Sequence, residues 1–220
     1  MENFVLGFLE ELHDNNNREW FNENKKRYEK ARKEMETFVD TLIPELLKID
    51  PAIGTLTAKQ TLFRLYRDIR FSKDKSPYKD HFGAFLAPGG RKSTQAGYYI
   101  HVSAQQSFLG GGAHSPSGED LKKIRSEIFY NTEEFKSIIG NKKFKETFSI
   151  LEGDKLVRPP AGFPGDFPDI ELLKYKSYTV FRNIDKKEIN DPSFHDEVLR
   201  VFRTMHPFIA FLNRALQPVG

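Results

Sequence analysis

The segment Arg64–His81, RLYRDIRFSKDKSPYKDH, sets Arg64, Arg67, Arg70, Lys73, Lys75 and Lys79 against Asp68, Asp74 and Asp80. Its local excess of +3 equals the formal net charge of the whole 220-residue chain, so the positive bias is local. Guanidinium donors left over after pairing are arranged to grip a planar anion through two parallel hydrogen bonds. Lys73, Lys75 and Lys79 would add point charges for the same anion. The alternative is an internal ion network or a solvated charged loop, in which each cation finds its own acid.

Imidazoles follow at His81 and His101, the side chains that titrate near neutrality. Asp68, Asp74, His81 and His101 are therefore candidates for acid–base chemistry, a carboxylate activating or orienting an imidazole. A His pair with an Asp could also hold a divalent cation, but no metal or cofactor can be assigned. HExxH, an EF-hand loop and a GxSxG elbow are all lacking. Gly110, Gly111 and Gly112 precede a helix start and could turn backbone N–H groups toward an anion. The other reading is a tight turn needing positive φ. No Gly-Lys-Ser/Thr follows, so this is not a P-loop. Tyr99 would be a secondary ligand contact.

Elements must carry these groups. Written with period two, Leu62 to Phe71 reads as a strand with Phe63, Leu65, Ile69 and Phe71 inward, interrupted by Arg67. Arg64, Tyr66, Asp68 and Arg70 then share the other face, alternate side chains roughly 7 Å apart. Ser76-Pro77 is biased away from helix, so Ser72–His81 is a turn. His81–Ala87 and Gly97–Ser103 read as an antiparallel hairpin around Pro88-Gly89-Gly90. In register, one face would bring His81 and His101 near the arginine row; a slip of one residue would reverse it. Ser107–Ser117 reads as a glycine-rich turn before a helix ending near Tyr130, with Ser115 as cap. A fourth strand is expected over Ser177–Ile184.

Helical spacing is read over Asn3–Asp14 and from Arg18 to about Leu42, with Asn17 as a cap between them. Pro44 is expected to kink the second helix or begin a further turn. Asp191-Pro192 opens a helix to about Met205, with Pro207 as a boundary before Phe208–Leu216. Twenty Phe and eight Tyr promise an aromatic-rich core. Together these elements predict an α+β fold, an antiparallel sheet packed against several helices. It is one domain over residues 1–220, with a helical segment 1–50 lying on the rest.

The absence of Cys excludes disulfides and cysteine nucleophiles. No apolar run nears the roughly 20 residues that cross a bilayer, and acids stand where a signal peptide is basic. A cytoplasmic, non-membrane protein is expected. Interspersed aspartates would repel phosphates, which weighs against nucleic acid without excluding it. The sequence leaves the oligomeric state open.

Three stretches, NNNREWFNENKKRYE (15–29), FRLYRDIRFSKDKSPYKDHFGA (63–84) and GYYIHVSAQQSFLGGGAHSP (97–116), together resemble the family known as domain of unknown function 2461. A fainter match lies around Lys174-Tyr175-Lys176. The resemblance spans nearly the whole chain and implies a single-domain bacterial or fungal-type protein. It carries over no activity and no catalytic residue.

Overall fold

The computed structural model describes residues 3–70, 72–148, 151 and 153–217. Its first helix, α1 (Asn3–Asp14), buries Val5, Phe8, Leu9 and Leu12 on one stripe. Asn15 to Asn17 end it, and the Asn17 side chain accepts from Trp20 N at 2.9 Å, capping α2 (Arg18–Glu23) as its position predicts. α3 (Lys25–Ile49) runs on through Pro44, and the long C-terminal α10 (Phe194–Leu216) runs through Pro207. Pro44 was expected to kink its helix or begin a further turn and Pro207 to mark a boundary, but neither ends its helix. Both sit on the solvent side, where water can take the carbonyl that each leaves unbonded. Leu42, Ile43 and Leu46 around the first, and Phe202, Met205, Phe208 and Ile209 around the second, are buried. At about 2 kcal/mol for each large apolar side chain, that burial outweighs the roughly 3 kcal/mol a proline costs.

Four strands, β1 (His81–Leu86), β2 (Gly97–Ser103), β3 (Ser107–Ala113) and β4 (Tyr178–Ile184), form one antiparallel sheet in chain order. This is the expected α+β arrangement, with one displaced strand. Leu62–Arg70 is not regular β-structure. It is an irregular arm, bridged to the sheet only at Leu62↔Ala84 and folded back on itself at Tyr66↔Tyr78. Arg67 N donates to Pro77 O and Lys79 N to Leu65 O. Pro77 has no N–H to return, so the ladder cannot continue. Leu65 is buried as its alternation predicts, but Phe63 lies on the opposite side of the sheet from the core, and Phe71 falls outside the described residues.

The missing strand is β3, in the stretch that reads as a glycine turn. Gly110, Gly111 and Gly112 pair with Tyr99, Tyr98 and Gly97 on one side and with Phe181, Val180 and Thr179 on the other. Glycine is used there for the space it leaves. A Cβ on Gly111 would come within 2.3 Å of Met205 Sδ, so its absence lets α10 lie close on the sheet. The inner face of the sheet, with Phe82, Ala84, Tyr98, Ile100, Val102, Leu109 and Val180, packs against the helices in one continuous core. α5 (Gly118–Tyr130) is capped by Ser117, two residues beyond the expected Ser115. Short helices α4 (Ala58–Thr61), α6 (Thr132–Gly140), α7 (Lys142–Thr147), α8 (Ile170–Leu173) and α9 (Lys186–Asn190) complete the described residues. Among the described residues no helix is long and apolar enough to cross a membrane.

Candidate functional site

The outer face of the sheet carries the chemistry. Register places His101 opposite Gly83 and His81 opposite Ser103, so the two imidazoles are diagonal neighbours with ring centroids 4.3 Å apart. His101 stacks on Phe108 at 4.6 Å, and its Nδ1 lies 3.3 Å from Tyr99 Oη. The expected convergence of His81 and His101 on one face is therefore present, with Tyr99 beside them.

The arginine row does not join them as drawn. Asp68 sits away from the imidazoles, exposed, accepting from Arg70 Nε and Nη2 at 2.9 and 2.7 Å. Arg67 is paired to Asp74 and also reaches Ser72 Oγ. Lys75 Nζ donates to the Ile69 carbonyl at 3.1 Å, and Lys73 is exposed in the loop. The loop cations are thus largely internal latches, the alternative that the charge pattern allowed. Gly110–Gly112 offer no cradle, since a strand pairs with each edge of their backbone.

Lys79 is the exception. It is half-buried, its Nζ lies over the Phe63 ring at 5.5 Å from the centroid, and among the described residues no carboxylate pairs with it. Burial lowers its pKa, and the nearby Arg64 and Arg67 guanidiniums lower it further. Lys79 and Arg67 also lie near His81, whose own pKa is lowered by burial and, against Asp80, by these two cations. Beside them, Arg18, Asn22, Tyr66, Arg67, Ile69, Pro77 and Tyr78 line a cavity of about 340 Å³ between α2 and the arm. Two of the stretches that carry the family resemblance meet in that cavity.

Asp80, not Asp68, is the carboxylate of the imidazole cluster. Its Oδ2 lies 2.8 Å from His13 Nδ1 and its Oδ1 3.5 Å from His81 Nδ1. Burial alone would raise its pKa; the His13 hydrogen bond leads the effects that hold it below the ordinary value. Gln105 Nε2 approaches His13 Nε2 at 3.0 Å. Sequence reasoning counted Asp80 only as charge and missed His13. The Asp80-His81 dipeptide was the available signal for the first.

The two imidazole rings are tilted by 30° to each other. Among the described residues no three His, Asp or Glu side chains converge as metal ligands do.

Burial, with His81 next in effect, pushes the His101 pKa down from 6.5 to about 4. The sign follows. Below pH 6.5 the unfolded chain takes up a proton that the folded ring refuses until the pH nears 4, so stability falls across that window as pH drops. Each pH unit is worth about 1.4 kcal/mol, and solvent at the partly exposed ring reduces the total to about 2 kcal/mol. Urea unfolding against pH should show that slope, and His101→Phe should flatten it. Identical slopes in the two proteins would refute the shift.

No curated protein and no solved structure matches the chain. The family model described as conserved hypothetical protein (DUF2461) matches residues 5–211, nearly the whole chain and all three stretches of the resemblance, and the protein belongs to that family.

Proposed function

We propose that this protein binds a small anionic or phosphorylated ligand where Lys79, Arg64 and Arg67 gather beside His81. One observation carries the reading: a half-buried ammonium whose charged neighbours are the guanidiniums of Arg64 and of Arg67, the latter paired to Asp74, and which has no carboxylate partner of its own among the described residues. Holding like charges together in a partly desolvated place is unfavourable, and an anion removes that cost. The imidazoles contribute neutral hydrogen-bonding edges. Arg70, Lys73 and Lys75, although cationic, stand outside the site: the first and third are latched to the loop's own acceptors and the second is solvated.

Thermal unfolding with inorganic phosphate, pyrophosphate and citrate tests the reading. At tenfold excess over Kd the midpoint should rise by about 4 °C. Lys79→Met should weaken binding by about tenfold or more, the loss expected for a charge-assisted hydrogen bond. The same change should leave unliganded stability within about 0.5 kcal/mol. Arg70→Ala and Lys75→Ala should leave binding unchanged. Midpoints that do not move at millimolar concentrations of any of the three anions would refute the proposal.

A further inference from the structure

Resting on the anion site just described, we propose that its ligand is a mononucleotide, with the phosphate at Lys79 and Arg64 and the base stacked on Tyr99. Phe63, Phe85, Tyr99, Phe108 and Phe181 are half-buried, yet none packs against the hydrophobic core. They sit on the outer face of the sheet, and four of them touch: Tyr99 to Phe108 at 5.7 Å, Phe108 to Phe181 at 5.6 Å, Phe63 to Tyr99 at 6.3 Å.

Glycine makes this face a platform. A Cβ on Gly83 would meet Tyr99 Oη at 2.4 Å and the ring carbons Cζ and Cε2 at 3.1 and 3.2 Å. The tip of the Tyr99 ring therefore lies over the glycine of β1, with Phe63, His101 and Phe108 around the ring. Phe63 stands against it at 68°, a wall beside a floor, and Lys79 lies over that wall. A planar ring fits the floor, and a phosphate on the same molecule reaches the ammonium. Base-on-aromatic stacking tolerates any base, because each has a π-face.

Charge decides between one nucleotide and a strand. Arg64, Arg67 and Lys79 all belong to the arm at the β1 edge. Across the rest of the outer face stand Tyr99, His101 and Ser103, then Phe108, then Thr179, Phe181 and Asn183, none of them Lys or Arg. A single strand needs cations along its track. One cationic end and one aromatic floor fit a ligand with one phosphorylated end.

Calorimetric titration of the full chain near neutral pH, with inorganic phosphate, adenosine, adenosine monophosphate and a short oligoadenylate, tests the inference. Adenosine monophosphate should bind about tenfold tighter than phosphate, and adenosine more weakly than either. Tyr99→Leu should reduce the mononucleotide to the phosphate level while phosphate binding stays; Tyr99→Phe should keep both. Gly83→Ala lifts the ring with Tyr99 intact and should likewise abolish the preference, with circular dichroism confirming the fold of each variant. Equal affinity for phosphate and mononucleotide would overturn the stacking inference and leave the anion site standing. Silence from all four probes would overturn both. Affinity that grows with oligoadenylate length would replace the mononucleotide with a strand.

Discussion

Gly112→Ala is expected to cost about 4 kcal/mol or more, enough to leave the chain largely unfolded. Gly112 has φ +122°, a conformation that L side chains rarely adopt, so the alanine is strained whatever space surrounds it. There is also no space. Its Cβ would lie 2.0 Å from the Tyr178 carbonyl oxygen and 3.0 Å from Thr179 Cα, both backbone atoms of the adjoining strand β4. A side chain can rotate away from such an overlap, but a paired strand cannot, because moving it breaks the β3–β4 ladder. Gly7→Ala is the control. That glycine lies within α1 with nothing within 4 Å of its would-be Cβ, so the change should stabilise by about 0.5–1 kcal/mol. Urea unfolding of the two variants checks both signs; a Gly112→Ala protein as stable as wild type would contradict the backbone described for β3.

The same glycine shows where the sequence is opaque. In SFLGGGA, three of seven positions have no side chain, so the period of two that marks a strand is invisible. Glycine's freedom of φ then suggests a turn, while the fold uses mainly its lack of bulk. Alternation misled in the opposite direction at Leu62–Ile69. Only Leu62 and Tyr66 of that stretch are bridged, each singly, without a ladder between them. Where alternation was supported by a partner strand it was reliable: GYYIHVS and HFGAFL set Tyr99, His101 and His81 on one face, as drawn. Which face met the helices was not legible for the phenylalanines. Phe63, assigned to the core by its spacing, lies on the outer side with Phe108 and Phe181. His13 and Asp80, 67 residues apart, meet only through packing of α1 near the end of the arm.

Asp50→Ala should cost about 3 kcal/mol, through a pin on the inner side of the sheet that no sequence pattern announces. Asp50 is 5 % exposed at the end of α3. Its Oδ2 accepts from Tyr98 Oη at 3.0 Å, its Oδ1 from Ala52 N at 3.2 Å, and His206 Nδ1 lies 3.6 Å away, itself 3.1 Å from Tyr98 Oη. One carboxylate so ties α3, β2 and α10 together. Removing it takes an acceptor from the hydroxyl of a wholly buried tyrosine, which keeps only His206, and strands a backbone N–H, so the loss exceeds that of a single net hydrogen bond. Tyr98→Phe removes one donor and should cost about 1.5 kcal/mol; the double variant should cost less than the two single losses combined, since they share a partner. Burial would raise the Asp50 pKa, but the bonds from His206 and Tyr98 outweigh it and hold the carboxyl below its ordinary 3.8. Its contribution is therefore complete above that value and lost as pH falls through the lower folded-state pKa, beneath the window in which His101 acts. Because this pin faces the helices and Lys79 faces outward, the Asp50→Ala protein should still bind phosphate at temperatures where it remains folded. Loss of phosphate binding in the folded variant would mean that the two sides of the sheet are coupled, and an Asp50→Ala stability within about 0.5 kcal/mol of wild type would remove the pin itself.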